Sequence, residues 1–249
     1  MDGQDRLHGI GDAAAAVGTD LKTERSGIGM MDSRNLIRGS VLACCLVLAL
    51  PAVARAHPHI FAEARLEVDT ASDHTISELR HVWRFDEVFS SSVVIDFDAN
   101  KNLVLDPDEL ASVSQLVKDS LMDFDYYTTI IDNGADIGVT PPDSINVDYR
   151  DGQLLMFFAV RPSKPVALTG KLDFGVYDPT MYAAIDFLND SDMVVTGSGA
   201  AGCTHKVIRP DPDQVIAENQ ASLTEAFFEN PGGNDLSKLF ATRIELTCK

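Results

Sequence analysis

The chain has 249 residues and carries 20 Lys plus Arg against 38 Asp plus Glu, a formal charge of -18. Residues 1–56 hold six acids and six bases, so the whole excess falls on residues 57–249. Such acidity argues against nucleic acid or an anionic membrane surface as partner and fits cations or basic partners.

Residues 1–29 are rich in Gly, Ala and Asp and have little periodicity, which predicts a disordered or non-native extension. A start at Met30 or Met31 puts Arg34 and Arg38 in a basic n-region and Val41 to Val53 in an apolar h-region. Ala54-Arg55-Ala56 then completes a cleavable secretory signal over residues 30–56. The apolar run falls short of the roughly 20 residues of a transmembrane helix, so the processed protein is not expected to span a membrane. Cleavage after Ala56 predicts a periplasmic protein that begins His57-Pro58-His59.

The mature part, residues 57–249, is predicted to be one α+β domain, mainly antiparallel sheet, with an EF-hand-like insert over 86–124 and a C-terminal helix. Ile60, Ala62, Ala64, Leu66 and Val68 alternate with polar residues, the period of two of a half-buried strand. In the next strand, Leu79, His81, Trp83 and Phe85 share one face and Glu78, Arg80, Val82 and Arg84 the other. A helix over Asp86–Phe97 is predicted to turn Val88, Phe89, Ser92, Val93 and Asp96 to one side. Asp106-Pro107-Asp108-Glu109 starts a second helix, with an N-cap, proline at N1 and a stripe of Leu110, Val113, Val117 and Leu121.

Asp132-Asn133-Gly134 predicts a hairpin between Tyr126–Ile131 and Ile137–Thr140, and Asp151-Gly152 another between Ile145–Tyr149 and Leu154–Val160. Further strands are predicted at Lys171–Tyr177, Tyr182–Leu188, Met193–Thr196, Cys203–Arg209 and Arg243–Cys248. A helix opens at Asp211-Pro212-Asp213, reaches about Glu229 and is broken by Pro231-Gly232-Gly233. Gly197 to Gly202 lacks the basic and strand-to-helix context of a phosphate loop and is predicted to be an ordinary loop.

Cys44 and Cys45 leave with the signal, so Cys203 and Cys248 form an even pair in an exported protein. A disulfide between them is expected, with a two-thiol metal site as the alternative.

Two stretches carry ion-binding chemistry. A terminal His57 can chelate through its amine and ring, and His59 adds an imidazole. Pro58 has no N–H and cannot supply a deprotonated amide nitrogen, so the remaining ligands must come from folded strands. His81 is the expected third imidazole, and Asp86 and Asp178 are candidate carboxylates, a set suited to Zn²⁺, Cu²⁺ or Ni²⁺. The second stretch is Asp98-Ala-Asn100-Lys-Asn102-Leu-Val104-Leu-Asp106-Pro-Asp-Glu109. Asp98, Asn100, Asn102, Asp106 and Glu109 stand at the oxygen-ligand positions of a calcium loop, with Val104 ligating through its carbonyl. Leu103 stands where such a loop has glycine, so binding should be weak. No serine or cysteine has the setting of a catalytic nucleophile, and no enzymatic activity is expected.

His57-Pro-His-Ile-Phe61, His81-Val-Trp-Arg-Phe-Asp-Glu87, the calcium-type loop, Val176-Tyr-Asp-Pro-Thr180, and Ala201-Gly-Cys203 followed by Arg209-Pro210 together resemble a bacterial family of unknown function. The family is labelled a periplasmic component of an uncharacterised ABC-type transport system. The resemblance covers nearly the whole mature chain and implies transition-metal handling beside nickel, cobalt or zinc permeases. It therefore implies an accessory protein that delivers a divalent metal to an inner-membrane permease or ABC-type transporter, or senses the metal for it. The alternative is a structural or adaptor domain that docks on a membrane transporter and uses calcium only as a stabiliser. An oxidative copper enzyme with a terminal-histidine brace is a third possibility.

Overall fold

The structure is a computed structural model that describes residues 58–224, 227 and 236–249. The predicted extension, the predicted signal and His57 lie outside those residues.

Strand β1 (Ile60–Thr70) and β2 (Ile76–Phe85) pair antiparallel with Ala62 opposite Phe85 and Leu66 opposite His81. The expected alternation holds. Ala62, Ala64, Leu66 and Val68 are buried against Leu79, His81, Trp83 and Phe85. On the outer face Arg80 reaches across to Glu67 at 2.9 Å and Arg84 pairs with Glu63, exposed ion pairs that each contribute little.

The chain then forms α1 (Glu87–Phe97) and α2 (Pro107–Leu121). Asp86 caps α1, and Val113 and Leu121 are buried from α2, with Leu110 and Val117 packed beside the core. The inner side of α1 matches the expected one at Val93 and Phe89 but not at Val88 or Asp96. It is formed by Ser90, Val93 and Val94, while Val88 is 83% exposed. Ser90 decides this orientation, because its hydroxyl accepts from Leu154 N–H at 2.9 Å and so turns that side toward the sheet.

Beyond the helices come β3 (Thr128–Asp132), β4 (Ala135–Asp136), β5 (Val139–Thr140), β6 (Asn146–Arg150) and β7 (Gln153–Pro162). Next are β8 (Gly170–Val176), β9 (Ala183–Asp186), β10 (Met193–Gly197), β11 (Thr204–Ile208) and β12 (Arg243–Cys248). The first hairpin has Asn133 and Gly134 at its turn, both at positive φ (47° and 90°), as a two-residue primed turn requires. The strand expected after it is split in two. Gly138, at φ 68°, redirects the chain, so β4 pairs with β3 while β5 crosses to pair with β7.

Among the described residues the first sheet has seven strands in the order β10-β1-β2-β7-β5, with β6 also on β7 and β9 also on β1. The second has five, β11-β12-β8-β3-β4. Most pairings are antiparallel, while β9 and β10 lie end to end, parallel to β1. Inward residues of both sheets, among them Leu66, Trp83, Met156, Ile130, Phe174 and Ile244, share one hydrophobic cluster. The expected α+β class holds.

Gly197 ends β10 at φ 81°, where a Cβ would stand 2.1 Å from the carbonyl oxygen of Thr70. His74 Nδ1 bonds Gly199 O at 2.8 Å, so the Gly197–Gly202 stretch is a loop fastened to the end of β1.

The C-terminal helix α3 (Pro212–Glu218) is much shorter than expected and ends at Asn219, whose side chain and backbone both bond Val215 O. The expected breaker, residues 231–233, lies outside the described residues. A cleft of about 610 Å³ separates α3 from outward residues of the second sheet, including Asp173 and Arg243. No helix among the described residues is long and apolar enough to cross a membrane.

The expected disulfide is present between Cys203, just before β11, and Cys248 at the end of β12, 45 residues apart. A bridge of this kind fits an oxidising compartment. Closing a loop of that length restricts the unfolded chain by up to about 4 kcal/mol. Cys203→Ser with Cys248→Ser is therefore expected to lower the urea midpoint, and reductant should lower the wild type to the same value. Equal midpoints for oxidised protein and double variant would show that the bridge carries no stability.

Candidate cation-binding sites

His81 lies on the inner face of β2, 1% exposed, between the two sheets. Its ring stacks on Phe158 with centroids 4.5 Å apart and meets Trp83 edge-on at 6.1 Å. Nε2 is 3.2 Å from Thr128 Oγ1 on the opposite sheet, and that hydroxyl gives its one proton to Tyr126 O at 3.1 Å. The histidine must then be the Nε2–H donor and carry a bare Nδ1. Nδ1 has no hydrogen-bond partner among the described residues. Burial pushes its pKa down from 6.5 to about 3, so the ring is neutral.

The register separates His81 from the start of β1. His81 lies opposite Leu66, seven residues along β1 from His59, which is about 23 Å at strand spacing. The expected pairing of His81 with the N-terminal histidines is therefore not formed. Paired strands lie only about 4.8 Å apart, but the register sets which of their residues face each other.

Three other expected ligands, His59, Asp86 and Asp178, each bond to backbone at or next to the start of β1, without forming a three-ligand group. His59 is exposed, donates its backbone N–H to Tyr182 O at 2.8 Å and lies with its ring 5.0 Å from that of Tyr182. Asp86 brackets Phe61: its N–H donates to Phe61 O at 3.0 Å, and Oδ2 accepts from Phe61 N–H at 3.2 Å. Oδ1 meanwhile caps α1 through Val88 and Phe89 N–H at 2.9 and 3.0 Å. Asp178 sits behind this edge, where Oδ2 accepts from Ala183 N–H at 2.8 Å, and Ala183 is the register partner of Ile60.

The two carboxylates differ in what they can still accept. Asp178 is 3% exposed, and Oδ1 takes both the N–H and the hydroxyl of Thr180 at 2.7 Å. With Ala183 and a hydrogen bond to Tyr127, its roughly four lone-pair sites are filled. Asp86 has three donors and is only half-buried, so it retains one acceptor site next to the start of β1. A cleft of about 390 Å³ opens here, lined by Pro58, Phe61, Asp178 and Met181 among others. Among the described residues no three His, Cys, Asp or Glu side chains are grouped to hold a metal ion.

Sequence reasoning missed Tyr127. Asp125, Tyr126 and Tyr127 have φ of 48°, 53° and 56°, a run of left-handed residues without glycine. Each costs about 1–2 kcal/mol. Packing and hydrogen bonds hold the turn: Tyr127 stacks on Trp83 at 6.0 Å, its carbonyl accepts from Tyr177 N–H at 2.9 Å, and its hydroxyl bonds Asp178. Burial and the Asp178 carboxylate keep that phenol well above its usual range. Only the adjacent aromatic pair hints at this turn in the sequence, because contacts across the sheets decide it.

The calcium-type loop folds between the two helices. Asp98 follows α1, Oδ1 accepting from Asn102 N–H at 3.0 Å and Oδ2 from Leu103 N–H at 2.7 Å. Asn100 and Asn102 both reach Asp106 Oδ2, at 2.7 and 3.2 Å, so the side chains at these loop positions converge. Glu109 clamps the loop, Oε1 accepting from Ala99 N–H at 2.9 Å and Oε2 from Asp106 N–H at 2.8 Å. Val104 donates its N–H to Asn102 Oδ1 at 2.7 Å. Leu103 adopts φ 63°, the left-handed conformation that this loop position demands, despite its Cβ.

The neutral core histidine has a consequence for acid stability. Its folded pKa is depressed while the unfolded chain binds a proton near 6.5, so the unfolded state holds the extra proton between those values. Stability from this residue is complete above pH 6.5 and is lost as pH falls toward 3, amounting to about 2 kcal/mol at pH 5. His81→Gln keeps an N–H donor for Thr128 but cannot ionise. Urea unfolding at pH 7 and pH 5 is expected to show a drop about 2 kcal/mol larger in wild type than in the variant. Equal drops would place the histidine's proton elsewhere.

No curated protein matches this chain. A family model described as "Protein of unknown function (DUF1007)" matches residues 42–248. Over most of its length, from the predicted signal to the disulfide at the last strand, the chain belongs to that family of unknown function.

Proposed function

We propose that the mature protein is an exported, non-catalytic accessory domain that binds a divalent transition metal at its N-terminus and delivers it to, or senses it for, an inner-membrane transporter. The observation that supports this is the grouping at the start of β1: His59 is exposed there, and Asp86 retains an acceptor site two residues along. In this reading His57 supplies an amine and a ring, His59 an imidazole and Asp86 an oxygen, a mixed nitrogen–oxygen set that suits Zn²⁺, Cu²⁺ or Ni²⁺. His81 and Asp178 take no part as ligands, one buried neutral between the sheets and the other saturated by its own loop.

A second reading is favoured by the closed loop at 98–109. Here the protein is a docking or structural domain whose only cation is calcium, held by Asp98, Asn100, Asn102, Asp106, Glu109 and the carbonyl of Val104. The convergence of these side chains, with Leu103 in the left-handed conformation, supports it.

Protein processed to begin at His57 is expected to bind one Zn²⁺, Ni²⁺ or Cu²⁺ in calorimetry, and His57→Ala with His59→Ala to lose it. Asp86→Asn should weaken binding by about tenfold, the loss of one ligand. Unchanged metal content in the double histidine variant would sink the first reading. For the loop, calcium at roughly ten times its dissociation constant stabilises by about 1.4 kcal/mol, a Tm rise of about 3–6 °C. Glu109→Gln, compared with and without calcium, is expected to abolish that rise. A wild-type Tm that ignores millimolar calcium would leave the loop a purely structural turn.

A further inference from the structure

The helical insert carries an apolar surface that the described fold does not cover. Val88 and Ile95 lie seven residues apart on α1, hence on one side of the helix, and are 83% and 78% exposed. In the loop that follows, Leu103 and Val104 are 79% and 57% exposed. The opposite side of α1 buries Ser90, Val93 and Val94. A helix that is apolar on both sides is ordinarily covered on both.

Leu103 is the most informative of the four. At φ 63° its Cβ is strained, and its side chain reaches into solvent, so it meets two penalties with no packing in return. Glycine would remove both. Strained residues of this kind persist at sites where something besides the free fold selects them.

Charge identifies the kind of partner. Residues 86–109 hold seven acids, Asp86, Glu87, Asp96, Asp98, Asp106, Asp108 and Glu109, against the single base Lys101. Glu87, Asp96 and Asp108 are exposed. A second copy brings the same negative field, and an anionic membrane is repelled as well. An apolar centre with an acidic rim fits an amphipathic segment that carries Lys and Arg around its apolar anchors.

We propose that Val88, Ile95, Leu103 and Val104 form the apolar centre of a docking surface for a basic amphipathic segment of a partner protein. Leu103 is the anchor whose backbone strain the free fold does not repay with packing. The surface does not depend on the metal reading. A bound divalent cation would take the net charge of residues 86–109 from seven acids minus one base, -6, to -4 and leave its sign unchanged.

The test uses the whole mature protein, titrated calorimetrically with a lysine–leucine amphipathic peptide of about five helical turns. Titrations are run in calcium and in chelator, at salt near 0.15 M so that long-range attraction is screened beyond about 8 Å. Wild type, Leu103→Gly and Ile95→Ser carry the same net charge, so purely electrostatic attachment leaves them equal. Both variants are expected to bind the peptide at least about tenfold more weakly, the loss of an anchor residue. Leu103→Gly should do so with its Tm unchanged or higher, which separates lost docking from lost folding.

Equal peptide affinity across the three proteins overturns the proposal. So does equal binding of a glutamate–leucine peptide of the same length. Binding of phosphatidylcholine vesicles that is lost in Leu103→Gly, with none of the lysine–leucine peptide, would assign the surface to lipid. Self-association in sedimentation that disappears in the same variant would assign it to a second copy. Peptide binding that survives in chelator supports the surface even where metal binding at His57 and His59 fails.

Discussion

The contact on which most of the structure depends is the aromatic layer between the sheets, where His81, Trp83 and Phe158 meet Tyr127 and Thr128. A histidine is tolerated there only while neutral, and the hydroxyl of Thr128 fixes which nitrogen holds the proton. The same layer makes the chain enter β3 through three left-handed residues, because Tyr127 must reach both the indole and Asp178. Asp178 in turn shapes the loop that carries β9 to the start of β1. A buried stack between the sheets thereby fixes the edge at which β1 begins.

That chain of contacts sorts the polar residues by what they have left to offer. Asp178 looks like a ligand in the sequence, but its acceptor sites are turned inward to hold backbone. Asp86 also holds backbone, yet keeps one acceptor site next to the start of β1. A carboxylate's chemistry depends on how many local donors the fold has already presented to it, and sequence spacing does not record that number.

The two opening strands, their inward faces, both two-residue turns, the cap of α2 and the disulfide were legible, because each follows from a local period or a local signal. Long-range geometry was not. The pairing of Leu66 with His81 put the third expected imidazole at the wrong end of a strand. The inward side of α1 followed Ser90, whose hydroxyl bonds a strand 64 residues away. The cross-over after Gly138 divided one predicted strand between two sheets. In each case a contact between distant parts of the chain outweighed a sound local preference.

The loop at 98–109 shows the opposite balance. Its oxygen spacing was visible in the sequence, and the backbone follows it even at Leu103, where a residue with a Cβ is a poor choice. If the loop were only a turn between helices, glycine would serve better and nothing would hold a leucine there in water. If it were only a cation site, leucine would still be a handicap, since it supplies no ligand. The residue is rational only for a loop that also presents an apolar side chain outward, and α1 presents two more from its uncovered side. Cation geometry and an exposed anchor in one short segment mean that whatever orders the loop also fixes where that anchor points.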